Sequence, residues 1–491
     1  MKKIILTIFV LTFTIDTKAD FIWNENCIKA YNLVMELKFL EGNKILKLEK
    51  SENKKNVIPF LIENYIDYLT IQIGERELDF NKLEKNKKNR IKKINTGNSN
   101  SPWFLYSKAE INIQWAANRI KFKNYFFAGI EIKKAYDLIQ ENKKKFPEFY
   151  PNYKILGTLN SLIGSIPKKY DWILSLINIE GNIDKGEIEM KKILSELKNN
   201  SEFNFLLNET YFIYSFLKMN LHNDTKGMLF LLNEIKNINN PLIIFASSRL
   251  AYKLGKNDLA LSILEKYKPN KNDYHFIYLE YLIGIHKQNK LDSSCIDHFL
   301  KYIKKFNGKN YIKSAYLRIS WQYLINNNLK LYKKFKNEIN TNGNLFVDAD
   351  KEAQWIFKKN RNPNLPLLKA RLYFDGGYFN QTINILEDID TNIFVYDDIT
   401  EYLYRNARTN EKMNKIDLAK KYYSKLIKKS FKESSYFYAK SNFQLGLMYE
   451  KEKDYILAKK YFKKCLDSEN HEYKQSIDQK AQAALNRINK F

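Results

Sequence analysis

The sequence predicts an all-α protein in which helical hairpins stack as an irregular solenoid. Gly (16) and Pro (9) are scarce in 491 residues, whereas sandwiches and barrels need many turn residues. The chain is 44% hydrophobic and 15% aromatic, a composition that argues against disorder. A pattern of small and large side chains also recurs along the sequence. Its best copy is FQLGLMYEKEKDYILAKKYFKKCL, at residues 443–466.

The first twenty residues, MKKIILTIFVLTFTIDTKAD, have the layout of a secretory signal peptide. Lys2 and Lys3 are followed by an apolar run that is too short to span a bilayer. Small residues precede a predicted cut after Ala19, and no cysteine lies where a lipobox would place one. We therefore expect a cleaved signal at residues 1–19. The mature protein is predicted to be exported, periplasmic or associated with the cell envelope, and to have no transmembrane segment.

The formal net charge is +27, which could indicate a nucleic-acid or anionic partner. Lys, Asn, Ile, Tyr and Phe are abundant together, and all have AT-rich codons. A solvated Lys-rich exterior is therefore the simpler interpretation. For an exported chain we expect no nucleic-acid partner.

The recurring pattern has a steric basis. When Ala439 is counted as position 1, Leu445 and Gly446 take positions 7 and 8, Tyr449 takes 11, and Ala458 and Phe462 take 20 and 24. Two antiparallel helices cross closely where positions 8 and 20 meet, so both need small side chains, and the larger residues fill the space beside them. These are the signature positions of the tetratricopeptide repeat, a hairpin of about 34 residues.

Weaker copies extend the pattern towards the N-terminus. Ala128, Ala260 and Ala419 take position 20 of their hairpins, and Ala370 takes position 8 of another. Two intervals are oversized, so we expect an extra helix at residues 165–179 and a helix with a Pro-containing linker at 346–366. The predicted divisions are a signal (1–19), an N-terminal helical cap (20–100), a degenerate array (101–345), a helix and linker (346–366), and C-terminal repeats with a capping helix (367–491).

The segment ILGTLNSLIGSIPKKYDWILSLINIEGNIDKGEIEMKKIL (155–194) has a Pro-led helix followed by two glycines that flank an acidic turn. In this it resembles the tetratricopeptide family of fungal inclusion-body-clearance proteins and their animal relatives. The whole chain is similar in kind to exported tetratricopeptide proteins of Bacteroidetes type. This resemblance implies the fold of the chain, and we infer no function from it.

Motifs of catalysis are missing from the sequence. It has no GxSxG, HExxH, P-loop or GxGxxG motif, and its Asp-rich stretches do not fit an EF-hand. The three cysteines form no CxxC and the five histidines no HxxxH or HxH pair. We expect no enzymatic activity, no cofactor and no metal site.

In tetratricopeptide arrays, positions 2, 5, 9 and 12 of each hairpin face the concave groove. In the last two hairpins these positions select eight residues, which are Glu401, Tyr404, Arg408, Glu411, Lys440, Phe443, Leu447 and Glu450. Five of them are our candidate groove residues, namely Tyr404, Arg408, Lys440, Phe443 and Leu447. The alternative is that they pack against one another or against a C-terminal helix at 475–489. The predicted function is a non-catalytic interaction scaffold of the cell envelope that binds a protein or peptide. An exported glycan- or nutrient-binding protein is the alternative, although that class usually carries a lipid anchor.

Overall fold

The computed structural model describes residues 19–166, 170, 172, 174–175, 178–221, 224–429, 436–469, 471 and 473–489. The predicted signal segment, apart from Ala19, lies outside the described residues. So does much of the predicted extra helix, at 167–169, 171, 173 and 176–177.

The described chain is all-α, as the sequence predicts, and its only β pairings are two isolated bridges. The N-terminal helices are α1 (Glu25–Met35), α2 (Phe39–Glu52), α3 (Ile58–Gly74) and α4 (Glu77–Ile94). The middle helices are α5 (Pro102–Lys121), α6 (Tyr125–Lys145), α7 (Asn152–Gly164), α8 (Ile183–Asn199), α9 (Leu207–Leu221), α10 (Thr225–Ile235), α11 (Pro241–Lys253), α12 (Asn257–Leu264), α13 (Tyr278–Gln288), α14 (Cys295–Lys305), α15 (Ile312–Ile325) and α16 (Leu329–Thr341).

The C-terminal helices are α17 (Asp348–Lys358), α18 (Leu365–Asp375), α19 (Phe379–Glu387), α20 (Tyr396–Lys412), α21 (Ile416–Lys429), α22 (Tyr436–Lys451), α23 (Tyr455–Leu466) and α24 (Lys474–Ile488). Consecutive helices pair as antiparallel hairpins, with α17 inserted between two hairpins and α24 packed on the last one. The boundaries between cap, array, linker and C-terminal repeats remain a prediction.

Local chemistry explains where hairpins begin and turn. The Asn240 side chain caps α11 by accepting hydrogen bonds from the backbone amides of Leu242 and Ile243, at 3.0 and 3.3 Å. Pro241 at the first helical position needs no amide partner. Gly255 then ends the helix with a φ of +72°, a conformation that costs glycine little.

The packing of the hydrophobic core divides the molecule. Buried side chains from Cys27 to Ile319 form one continuous cluster. Beyond it, the C-terminal hairpins bury four smaller clusters. One of these contains Ala458, Phe462 and residues of α24. The N-terminal hairpins therefore share the core of the middle array, whereas each C-terminal hairpin relies on its neighbours.

The N-terminal hairpins fold back against the middle of the array. The carbonyl oxygen of Met35 accepts a hydrogen bond from Asn240 Nδ2 at 3.1 Å. The carbonyl of Leu37 accepts one from the Tyr274 amide at 2.8 Å, and Tyr274 Oη donates to the carbonyl of Thr70 at 3.1 Å. These contacts bridge about two hundred residues of sequence and close one side of the concave face.

A second long-range contact joins the middle array to the C-terminal hairpins. The turn after α11 meets the turn after α18, where Gly255 and Gly377 lie backbone to backbone. Beside them, Tyr378 Oη donates a hydrogen bond to Asp258 at 2.9 Å. The concave faces of the two regions therefore border the same interior space. None of the described helices is both long and apolar enough to cross a membrane.

Candidate functional site

The concave face encloses a cavity of about 1140 Å³. Its walls are the first helices of successive hairpins, together with α3 from the N-terminal region and the end of α20. The lining is mostly apolar and aromatic, with a small number of charged groups. A concave, mostly apolar surface with a few convergent polar groups is the usual form of a binding site in proteins.

The cavity follows the repeat register. In the hairpins with Ala128, Gly227 and Ala260 at position 20, the groove positions 2, 5, 9 and 12 can be read directly from the sequence. They are Glu110, Ile113, Ala117 and Ile120; Glu209, Phe212, Phe216 and Met219; and Leu242, Phe245, Arg249 and Tyr252. All of these residues line the cavity.

A ladder of aromatic rings runs along this surface, formed by Phe212, Phe245, Tyr278 and Tyr311, which recur at intervals of 33 residues. Successive ring centroids are 6.2, 6.2 and 4.8 Å apart. All four side chains are partly exposed, so their free surface faces the cavity. The repeat geometry therefore converts a sequence interval into an ordered row of rings. We call these four residues the aromatic ladder.

A charged cluster forms the floor of the cavity. Lys154 Nζ lies 2.5 Å from Glu209 Oε2 and 3.1 Å from Glu110 Oε2. Tyr31 and Tyr65 donate hydrogen bonds to the Glu209 carboxylate at 2.7 and 3.0 Å. All five side chains are buried. The cluster ties α1 and α3 to the array, because its members come from five different helices.

Burial shifts the pKa values of Lys154 and Glu209 in this cluster. Burial by itself lowers the pKa of Lys154, but the attraction of Glu110 and Glu209 outweighs it, and the pKa lies well above its usual value. Burial raises the pKa of Glu209, and the neighbouring Glu110 adds to the effect. Lys154 is therefore held in its charged form by the two carboxylates around it.

The predicted groove residues lie elsewhere in the molecule. Tyr404 is buried against Tyr423, Tyr436 and Phe437. Arg408 forms an ion pair with Glu411 at 2.6 Å.

The other three candidates pack near α24. Phe443 and Leu447 belong to the cluster that contains α24, and Lys440 Nζ lies 4.9 Å from the centroid of the Phe443 ring. Among the described residues, none of the five lines the cavity. Phe443 and Leu447 therefore pack beside the C-terminal helix, which is one of the arrangements that the sequence left open.

The signature residues occupy hairpin crossings. The buried ones are Ala128, Ala260, Ala370, Ala419, Leu445, Ala458 and Phe462. Any Cβ on Gly446 would come within 2.5 Å of the Phe462 ring, which explains the glycine at position 8. Tyr449 is partly exposed and stacks on Tyr461 with centroids 5.5 Å apart.

Sequence reasoning missed the cavity residues for a specific reason. It applied the groove positions to the last two hairpins, where the repeat signature is strongest. The same positions in the earlier, more degenerate hairpins select the cavity lining, and the 33-residue interval of the aromatic ladder is visible in the sequence.

The remaining chemistry of the described chain is limited. Across the described ranges, no three His, Cys, Asp or Glu side chains are grouped so as to hold a metal ion. Cys27, Cys295 and Cys465 are free and buried, and burial raises the pKa of each thiol to about 12. A buried thiol with a raised pKa is a poor nucleophile, which agrees with a packing role for Cys465.

These features define the class as an all-α array of stacked helical hairpins with an enclosed concave face. Within it, residues 439–471 match the family model of the tetratricopeptide repeat. The match begins at Ala439, the residue counted above as position 1. The chain therefore carries a tetratricopeptide repeat near its C-terminal end.

Two solved structures are similar over most of their length. One is a chain of the APC/C hetero-tetramer Cut9-Hcn1, 11% identical, covering 94% of this chain and 95% of that one with a TM-score of 0.27. The other is yeast Tom70, 13% identical, covering 86% of this chain and 97% of that one with a TM-score of 0.22. No curated protein matches the sequence.

Proposed function

We propose that the protein is a non-catalytic interaction scaffold of the cell envelope, which binds an extended segment of a partner protein in its concave cavity. The observation that carries this proposal is the aromatic ladder. Partly exposed rings at regular spacing are suited to anchor successive apolar side chains of a peptide.

The size of the cavity supports a peptide over a small metabolite. Pockets for small molecules usually have volumes of about 300–1,000 Å³, and this cavity, at about 1140 Å³, has room for several residues of extended chain. Most of its walls are helices packed into one continuous core. A wall of this kind loses little conformational entropy when the ligand binds.

The proposed mechanism is binding without chemistry. A catalytic site needs a nucleophile or a general base near a group that orients it. The titratable cluster that lines the cavity instead consists of Lys154 held between two carboxylates. Such a cluster suits the anchoring of helices better than proton transfer.

Peptide selection tests the proposal. A displayed library of random peptides should enrich sequences with aromatic or large apolar residues at spaced positions. The double variant Phe245→Ala/Tyr278→Ala should lose the selected peptides, because it removes the centre of the aromatic ladder. Phe230→Ala is the matched control, since Phe230 is 67% exposed and lies outside the cavity lining. Equal binding by all three proteins would refute the site.

The proposed location in the cell envelope can be tested separately. The apolar run that begins at Ile4 and the small residues before Asp20 support export with cleavage. Protein purified from the native cell should begin at Asp20 and be recovered with the periplasmic or envelope fraction. A mature protein that keeps Met1, or one that is recovered with the cytosol, would contradict the proposal.

The aromatic ladder also favours a second candidate, an exported glycan- or nutrient-binding protein. Aromatic ring faces can stack on the apolar faces of sugars as well as on peptide side chains. A glycan array separates the two candidates. Binding of a glycan that Phe245→Ala abolishes, together with no enrichment of peptides, would favour the second one.

A further inference from the structure

The charges that line the cavity are unevenly partnered. Four carboxylates lie in the lining, and each has a cation within 4 Å. Glu75 pairs with Lys121 at 2.5 Å, and Glu110 and Glu209 share Lys154. Asp375 pairs with Arg371 at 3.8 Å. Each acidic group of the cavity therefore already has a cationic partner within the protein itself.

Three cations of the lining have no such partner. Within the described parts of the chain, Arg249, Lys253 and Lys412 have no carboxylate within 4 Å, and Lys253 Nζ donates instead to the carbonyl oxygen of Met219. Arg249 also donates no hydrogen bond to any described residue, and its guanidinium lies over the Tyr252 ring at 5.7 Å. The unbalanced charge of the cavity is therefore positive.

Arg249 is the most informative of the three. It is partly buried on α11, one turn after Phe245 of the aromatic ladder. A guanidinium has five donors in a fixed fork that matches carboxylate oxygens in pairs. A partly buried guanidinium without a hydrogen-bonded partner lacks the contacts that usually offset its desolvation. Arg249 therefore lies beside the aromatic ladder without a carboxylate partner among the described residues.

The neighbouring cations reinforce one another. Lys253 lies one turn after Arg249, and Lys412 approaches from the end of α20. Burial lowers the pKa of Lys253, and the positive charges of Lys480 and Arg249 lower it further. Burial likewise lowers the pKa of Lys412, with an added effect of Arg408. This part of the cavity therefore has a positive potential that favours an anionic ligand group.

From this asymmetry, and building on the proposed function, we infer that the partner segment is acidic. Its Asp or Glu carboxylates would bind Arg249, Lys253 and Lys412 while its apolar side chains contact the aromatic ladder. The side-chain carboxylates of an internal segment are sufficient, so no free chain terminus is required.

Two synthetic peptides test the inference. Both are acetylated and amidated, and both alternate Phe with a second residue, which is Glu in one and Gln in the other. The Glu peptide should bind about tenfold more tightly than the Gln peptide. The reason is that a charge-assisted hydrogen bond contributes more free energy than a hydrogen bond between neutral groups. The preference should shrink as salt is added, because screening weakens exposed charge pairs.

Three variants locate the effect. Arg249→Gln and Lys253→Gln should each weaken binding of the Glu peptide more than binding of the Gln peptide, so that most of the preference between the two peptides is lost. Lys256→Gln is the matched control, since Lys256 is exposed at the start of α12 and lies outside the lining. Circular dichroism should show that all three variants remain folded.

The possible failures can be told apart. Equal binding of both peptides, weakened for both by Phe245→Ala, would overturn the acidic partner and leave the proposed peptide groove intact. No binding of either peptide would overturn the proposed function as well. An oligonucleotide or inorganic phosphate that displaces the Glu peptide through Arg249 and binds more tightly would overturn the assignment to a polypeptide.

Discussion

The middle of the molecule and its C-terminal end bury their apolar side chains in different ways. From Cys27 to Ile319 the hairpins, including those of the N-terminal region, share one hydrophobic core and supply most of the cavity lining. After residue 320, each hairpin buries a small cluster with its immediate neighbours. The repeat signature is clearest in the second region, yet the candidate site lies mainly in the first.

A repeat signature therefore reports on hairpin packing and not on the binding surface. Positions 8 and 20 are constrained wherever two helices cross, so a regular hairpin satisfies them fully. The cavity needs large aromatic and charged residues at the groove positions and contacts from the N-terminal helices. These demands are met in the middle hairpins, against which the N-terminal helices fold back.

Two lysines illustrate the contrast. Lys154 is buried in the middle region between two carboxylates, and its pKa is raised well above the usual value. Lys440 lies in the C-terminal region without a carboxylate partner among the described residues. Burial and the nearby Lys480 and Arg408 lower its pKa to about 8. The buried charge of Lys154 therefore stabilises the fold, whereas the partly buried charge of Lys440 destabilises it.

The largest expected effect is that of Lys154→Met. This substitution leaves Glu110 and Glu209 buried without a cation, so the free energy of unfolding should fall by about 3–5 kcal/mol. Urea denaturation followed by circular dichroism measures it. Lys133→Met is the control, because Lys133 forms only an exposed ion pair with Asp137, worth less than about 1 kcal/mol. Adding Glu209→Gln to Lys154→Met should recover part of the loss. Equal stability of the Lys154 and Lys133 variants would show that the cluster does not brace the N-terminal helices.

Ala458→Arg should have the next largest effect, and a local one. Ala458 is fully buried at the crossing of the last hairpin, and a long charged side chain cannot fit there, so we expect a loss of about 3 kcal/mol. Because this hairpin has its own cluster, hydrogen exchange should accelerate in α22 to α24 and stay unchanged between residues 27 and 319. Lys460→Arg, on the exposed face of the same helix, is the control. Exchange that accelerates throughout the chain would contradict the separation of the two regions.

These cases show what the sequence could and could not predict. The helical hairpins follow from steric rules that are local in sequence, so Ala458, Phe462 and Gly446 identify a crossing without a structure. The contact of Met35 with Asn240 and the cluster around Lys154 join residues that no local rule relates. The residues of the cavity were partly predictable from the sequence. The groove positions could be counted from Ala260, but the choice of hairpin depended on where the N-terminal helices fold back.

Gly377→Ala would test the contact between the two regions. Gly377 has a φ of +81°, and an added Cβ would collide with the backbone of Gly255. We expect a loss of about 2 kcal/mol, from the strained conformation and the displaced turn together. The control is Gly343→Ala. Gly343 also has a positive φ, of +75°, but an added Cβ there would approach no neighbouring atom closer than 3.0 Å. The loss of stability in this control should be about half as large. A smaller effect at Gly377 than at Gly343 would show that the two turns separate easily.

Lys440→Met should have the smallest effect, with the opposite sign. Between pH 8 and the usual lysine pKa of 10.5, the unfolded chain keeps a proton that the folded protein has lost, so the stability of the natural protein should rise with pH across that window. Below pH 8 both states are protonated, and the cost of burying the charge is constant. Replacing Lys440 by Met should therefore stabilise the protein by about 1 kcal/mol at pH 7 and remove the rise above pH 8. Lys451→Met, at the exposed end of the same helix, should preserve the rise, so a difference of the two variants isolates Lys440 from every other titrating group. If Lys440→Met destabilises the protein at pH 7, its contact with Phe443 outweighs the cost of the unpaired charge, and the contrast with Lys154 fails.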